Sequence, residues 1–314
     1  TNLTLFPKFM HRVFGLTHLF ACGCAGKLQA DSECDVSDEV SQTCSSDSGY
    51  NLSNVIYTSK DSVEVVKLLR QKFVGNEVFH FARHFIGRPY VGYTLEISDP
   101  ERLVVNLRQF DCTTLVETVC ALVMTKRQNS DNFSDFCQNL EKLRYRSGKM
   151  DGYLSRLHYF TWWMHDNIEK GLFIEVIDKV YFTAPKTVNN YYMSQHASDY
   201  KMLASHPEWV DSIRAMERYA NGADGHYLPQ TATKFSPEQL SVIHDGDIIA
   251  IVTTKAGLDY SHLGFAVWGR DQKLHLLNAS MVYKRVVEDT VTLYDYLAKR
   301  KTSVGIRLLR LIGK

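Results

Sequence analysis

The sequence predicts an α+β domain, and three observations carry the prediction. Apolar residues recur at helical spacing through the first half, strand-like runs crowd the last third, and the two kinds of segment do not alternate. Helices first and neighbouring strands later argue for helices packed on an antiparallel sheet, because a parallel sheet would need alternating strand and helix units. The 314 residues, 45% hydrophobic and 23% charged, suffice for one large domain or two small ones. A formal charge of +1, without any basic run, gives no support for a nucleic-acid partner. Seven cysteines are too few for a disulfide scaffold, and the odd total leaves at least one unpaired.

Taken in order, residues 1–24 read as an export segment. Lys8, His11 and Arg12 precede the short apolar run VFGLTHLFAC, too short to span a membrane but suited to the core of a signal, with Met10 as a candidate start. Leu19-Phe20-Ala21-Cys22 loosely resembles a bacterial lipoprotein cleavage box, so a lipid on Cys22 and membrane anchoring are expectations; a plain tail is the alternative. Residues 25–55 are acidic and Ser-rich with few large apolar groups, a linker by composition, in which Cys34 and Cys44 could pair. Residues 56–314 read as one domain.

Within that domain DSVEVVKLLRQKF places Val65, Val66, Leu69 and Phe73 on one stripe, with acidic residues early and basic ones late. SDFCQNLEKLRYRSG starts at a Ser/Asp cap and stops at Gly148, and SRLHYFTWWMHDNIEKG runs to Gly171. LFIEVIDKVYF is a strand candidate, GDIIAIVTT a buried strand, and HLGFAVWG with KLHLLNAS a hairpin. The helix TLYDYLAKR and the strand SVGIRLLRL close the chain.

In RQFDCTTLVETVCAL, residues Leu115, Val116, Val119 and Leu122 mark an amphipathic helix, and Cys112 falls at or just before its first turn. Thr114 with Glu117 has capping-box spacing, and Asp111 can also cap. Unpaired N–H groups and the positive end of the helix dipole both favour a thiolate there, so a thiol of ordinary pKa about 8.5 could ionise near neutrality, especially beside a histidine. The same N–H groups suit an oxyanion. On this stretch alone a small packed cysteine reads equally well, and Cys120 and Cys137, deeper in helical patterns, read as packed.

Twelve histidines compete to serve such a thiol. His262 opens the strand HLGFAVWG, and the partner strand ends near Asn278, a residue able to orient an imidazole. The hairpin supplies a parity condition. An odd loop, centred near Arg270, puts both side chains on one face; an even loop separates them. Rival sites are weaker. His80 and His84 lie four apart, as metal ligands on a helix do, but without a third ligand they read as ordinary histidines near an aromatic core. HYFTWWMH reads as a mostly buried aromatic stripe, with some rings able to line a cleft.

The segments GRPYVGYTLE, ERLVVNLRQFDCTTLVETVCAL, SRLHYFTWWMHDN, DGDIIAIVTTKAGLDYSHLGFAVW and LHLLNAS, in this order from about Asp61 to Leu311, resemble the DUF1460 family of N-acetylmuramoyl-L-alanine amidase-like proteins in the NlpC/P60 superfamily. The resemblance implies a papain-like α+β core, its helix-rich first half packed on a C-terminal antiparallel sheet. It implies Cys112 as nucleophile, His262 as general base and Asn278 as the group that orients the base, with Tyr90, Asp111, Thr113 and Ser261 lining the site. Two positions depart from the family pattern: Asn278 stands where histidine is frequent, and Gly92-Tyr93 where relatives tend to have a small residue and glycine. The implied reaction is hydrolysis of the amide between the lactyl group of N-acetylmuramic acid and L-alanine, in peptidoglycan or its muropeptides; the N-terminal segment adds the expectation of an exported, periplasmic or lipid-anchored protein, and a monomer is expected. The reaction needs no metal or organic cofactor. The alternatives are cleavage of the D-glutamyl–diamino acid bond, acyl transfer to another acceptor, and a wall-binding module without turnover.

Overall fold

The computed structural model describes residues 49–313, so the segment read as an export signal, Cys22 with its expected lipid, Cys34 and Cys44 with their candidate pairing, and most of the stretch read as a linker lie outside the described residues. Residues 49–55, assigned to the linker by composition, carry a 3-10 turn at Leu52–Asn54 and the start of β1 (Val55–Ile56). Two helices follow. In α1 (Ser59–Arg70) Thr58 and Asp61 form a capping box, and α2 (Glu77–His84) is capped by Asn76. The short β2 (Leu103–Val104) pairs in parallel with β1.

The central element is α3 (Cys112–Arg127). The sequence marks it as amphipathic, but residues 114–125 are buried on every side. α4 (Phe133–Arg144) and α2 cover it from the helical side, and the sheet covers the other. A helix enclosed all round must also bury its polar positions. Glu117 is therefore no part of a capping box with Thr114. Its carboxylate accepts from Arg144 Nε at 2.7 Å, both side chains being 3% exposed, and Arg144 also donates to the Val104 carbonyl.

Beyond α4, α5 (Phe160–Glu169) starts five residues later than SRLHYF suggests; Tyr153–Ser155 form a separate 3-10 turn, and Arg156 pairs with the carboxylates of Glu96 and Glu101. Trp162 and Trp163 are core residues, as most of that aromatic stripe was expected to be. The strand β3 (Phe173–Val176) is shorter than its apolar run, and β4 (Ala184–Thr187) follows it. Short helices α6 (Tyr192–Gln195) and α7 (Lys201–Ser205) lead to α8 (Val210–Ala220) and β5 (Asp224–Pro229).

The last third builds most of the sheet: β6 (Ile248–Thr253), β7 (Tyr260–Trp268), β8 (Leu274–Ser280), β9 (Arg285–Glu288), then α9 (Leu293–Ala298) and β10 (Ser303–Leu311). The order is β4-β5-β10-β6-β7-β8-β9, with β3 also on β10, and every pairing is antiparallel. This mixed architecture of helices and an antiparallel sheet is the one expected. Strand alternation divides the core. Leu263, Phe265, Leu277 and Leu309 pack with α3, whereas Ala266, Leu274, Leu276 and Leu308 pack beneath α9 with Leu293 and Leu297. Each large aliphatic side chain removed from water contributes about 1.5–3 kcal/mol, so both layers hold the sheet firmly.

Candidate active site

Strand pairing settles the hairpin condition. Trp268 pairs with Leu274, so the loop is the odd-numbered 269–273 and its centre is Asp271, one residue beyond the expected Arg270. His262 and Asn278 therefore share a face, offset diagonally, and the residue directly opposite Asn278 is Gly264. Its missing side chain leaves the diagonal open: a Cβ built there would lie 3.0 Å from Asn278 Cβ. The Asn278 amide, fully buried, reaches across and its Oδ1 sits 2.9 Å from His262 Nε2. An amide oxygen only accepts, so Nε2 carries the proton and Nδ1 holds the free lone pair.

Cys112 occupies the first turn of α3. Asp111 is the N-cap: its carboxylate accepts from the Thr114 amide at 2.8 Å, and its own amide donates to Thr114 Oγ1 at 2.9 Å. The capping box is thus Asp111 with Thr114. The residue keeps partial solvent exposure, while its sulfur is crowded by protein. The sulfur accepts from the Leu263 amide, the residue after His262, and from the Thr113 hydroxyl. The helix start is thereby joined to the strand that carries the histidine.

The expectation of a thiolate near neutrality fails in this setting. Burial, and secondly the Asp111 carboxylate, push the Cys112 thiol up to about 12, outweighing the hydrogen bonds that favour the anion. Burial likewise lowers the His262 pKa below its usual 6.5; Asn278 opposes the shift and Arg300 adds to it. At rest the thiol and the imidazole are therefore both neutral.

Tyr90 lies near Cys112. Residues 89–91 run along Phe110, with the Val91 amide on the Phe110 carbonyl at 3.0 Å, two residues before Cys112. Burial, then the neighbouring Cys112 and Asp111, raise the Tyr90 pKa, so its phenol stays protonated. Ser261 lies exposed on β7, at the irregularity where the β6–β7 register shifts between His262 and Tyr260. Sequence reasoning missed Tyr296, whose ring lies 6.3 Å from His262 and nearly parallel to it, and Arg300, which lies over Tyr296 at 3.6 Å. The one signal was spacing, since Leu293, Tyr296 and Leu297 share a helical stripe facing the sheet.

Other candidates are structural. His80 stacks on Phe73 at 4.1 Å, His84 pairs with Glu64 at 2.8 Å, and among the described residues no cluster of three or more metal-ligating side chains occurs. Cys120 and Cys137 are free and buried. No helix of the described residues is long and apolar enough to cross a membrane.

Comparisons with known proteins agree with this architecture. Two crystal structures of a N-acetylmuramoyl-L-alanine amidase from Bacteroides uniformis ATCC 8492 are similar to the chain. One is 40% identical with a TM-score of 0.70, covering 76% of this chain and 99% of that one. The other is 39% identical with a TM-score of 0.69, covering 75% and 97%. A Legionella pneumophila protein of the DUF1460 family, 23% identical with a TM-score of 0.64 over 80% of this chain and 94% of that one, shares the fold. No curated protein matches. The family described as N-acetylmuramoyl-L-alanine amidase-like matches residues 80–306, and the chain belongs to this AmiA-like family.

Proposed function

We propose that the protein is a cell-wall amidase that hydrolyses the bond between N-acetylmuramic acid and L-alanine, in peptidoglycan or its fragments, by a cysteine–histidine mechanism on a papain-like NlpC/P60 core. The observation that carries this reading is the junction of Cys112 with β7: the thiol at a helix start bonds the amide next to His262, and His262 is held by Asn278 through Nε2. A cysteine, a histidine and an amide in this order form a triad recognised by geometry and role. The family match and the B. uniformis amidases support the substrate class.

With both groups neutral at rest, proton transfer accompanies attack. Nδ1 of His262 takes the thiol proton as Sγ bonds to the lactyl carbonyl carbon. The first-turn amides hold the oxyanion, the Cys112 N–H foremost, since Asp111 occupies that of Thr114. As the C–N bond breaks, the imidazolium returns the proton to the departing L-alanine amine. Water, deprotonated by His262, then hydrolyses the thioester and releases the muramic acid carboxylate and the free thiol. Positioned proton transfer contributes about 10²–10⁴-fold and one oxyanion donor about 10²–10³-fold. Tyr90, Thr113 and Tyr296 surround the sulfur and exclude water, and Asp111 fixes the helix start. The apolar run at residues 13–22 belongs to this reading as an export signal, since the polymer lies beyond the cytoplasmic membrane.

The test is mass spectrometry of products from defined muropeptides treated with wild type and Cys112→Ala. Release of the intact peptide with a free L-alanine amine by wild type alone is the expected result. Cleavage inside the stem peptide would move the bond, and equal turnover by both proteins would refute the cysteine mechanism.

A further inference from the structure

Tyr260 and His262 are two residues apart on β7, a spacing that puts side chains on one face of a regular strand. Here they stand on opposite faces. Tyr260 pairs with Val252 and His262 with Ile251, which are neighbours on β6, so Ser261 is an extra residue without a partner on that strand. The Tyr260 ring accordingly meets Phe160 of α5 edge-on at 5.5 Å, whereas the His262 ring lies nearly parallel to Tyr296 of α9. A bulge of this kind bends its strand and sharpens the local twist. Its leading side is held from several directions. The buried Asp259 carboxylate accepts from Thr161 Oγ1 of α5 at 2.8 Å and from Lys186 Nζ of β4 at 3.1 Å, and the Asp259 carbonyl accepts from the Thr253 amide of β6 at 2.9 Å. Arg307 of β10 donates from Nη1 to the Tyr260 hydroxyl at 3.1 Å and from Nε to Glu175 of β3 at 2.6 Å. The trailing side is fixed as well, by the pairing of Leu263 with Ala250 and by the His262 bond to Asn278.

We propose that the bulge at Ser261 aims the general base, and that Asp259 and Tyr260, which pin its leading side, are positioning residues of the reaction. The proposal rests on the amidase reading. Geometry supplies the need for such a device. The helix α3 packs against the face of the sheet that carries Leu263 and Phe265, and His262 stands on the other. A straight strand would direct the imidazole away from the helix whose first residue is the nucleophile. Added twist at Ser261 rotates the ring toward the strand end, where the Leu263 amide meets the Cys112 sulfur, while Asn278 keeps hold of Nε2. The twist serves catalysis only if it is rigid, and the Asp259–Lys186 and Tyr260–Arg307 contacts make it so.

Deletion of Ser261 is the direct test, because it leaves the Tyr260 and His262 pairings and every side-chain face in place and removes only the kink. Ser261→Gly removes the same side chain but keeps the extra backbone unit. With N-acetylmuramoyl-L-alanyl-D-isoglutamine as substrate, the deletion should lower kcat about 10²-fold with KM within about twofold, and Ser261→Gly should retain at least about ten times the kcat of the deletion. Equal kcat in the two variants, or a deletion that keeps nearly the wild-type kcat, would overturn the proposal. Should the deletion fail to fold, Asp259→Asn decides. Its amide offers one acceptor oxygen to the two donors, Thr161 and Lys186, so the anchor loosens and kcat should fall about tenfold with KM nearly unchanged. Full kcat in that variant would count against the proposal. If wild type cleaves nothing, the amidase reading fails separately, and heteronuclear NMR of the His262 ring nitrogens decides the bulge. A proton fixed on Nε2 in wild type but shared between both nitrogens in either variant would sustain it, and a tautomer unchanged in both would sink it.

Discussion

Replacing Gly264 by alanine should damage catalysis through a residue that touches neither substrate nor nucleophile. A Cβ at this position would lie 2.7 Å from the Leu277 carbonyl oxygen, 2.8 Å from Leu276 Cδ1 and 3.0 Å from Asn278 Cβ. The first of these neighbours is backbone, so no rotamer relieves the clash and β8 must move away from β7. Overpacking of this kind costs about 1–3 kcal/mol, against a typical stability of about 5–15 kcal/mol, so the variant should fold. The displaced strand carries Asn278, whose bond to His262 Nε2 is 2.9 Å long. Loss of that bond is worth about 0.5–1.5 kcal/mol, or roughly two- to tenfold in rate, and a misaimed Nδ1 adds to it. Urea unfolding and steady-state kinetics below the transition should therefore show lower stability together with a kcat reduced about tenfold or more and a KM nearly unchanged. Gly305→Ala is the control. Its Cβ would lie 2.2 Å from the Leu228 carbonyl, on β10 and away from the site, so it should cost stability and spare kcat at temperatures where the protein is folded. If Gly264→Ala loses stability but keeps full kcat, the glycine serves sheet packing alone and the diagonal His–Asn arrangement does not depend on it.

Two further outcomes follow from the electrostatics. Because burial lowers the His262 pKa below 6.5 and raises the thiol to about 12, kcat/KM should fall only as pH drops through a value below 6.5 and stay level between about pH 7 and 9. An acid limb above 6.5, or a rise tracking thiolate formation near pH 8.5, would contradict the neutral pair. Arg144→Met, which strands Glu117 as a buried charge, should cost about 3–5 kcal/mol in denaturant unfolding, whereas the double change with Glu117→Leu should recover most of it. A double variant no more stable than the single one would show that the pair's own attraction, not the stranded charge, sets the cost.

Much of this protein was legible in the order and periodicity of its residues. Helices ahead of a strand-rich third, the start of α3 at Cys112, and the strands β6 to β8 and β10 all follow from local patterns of apolar side chains and turn residues, which any fold must respect. The same-face relation of His262 and Asn278 was reduced by side-chain alternation to a question of loop parity. Tertiary structure alone answered it, because register depends on which strands meet. It also set the diagonal offset and the need for Gly264. Periodicity could not reveal that α3 is enclosed on all sides, and so it misassigned Glu117 to a cap when the carboxylate instead meets Arg144, 27 residues further along the chain. The same limit governed the thiol. A helix start favours ionisation, but desolvation is imposed by every element packed around the sulfur, and in this fold it is the larger effect. Tyr296, Arg300 and the Leu263 amide joined the site for that reason as well: distant segments were brought to one end of the sheet by packing, which local sequence does not encode.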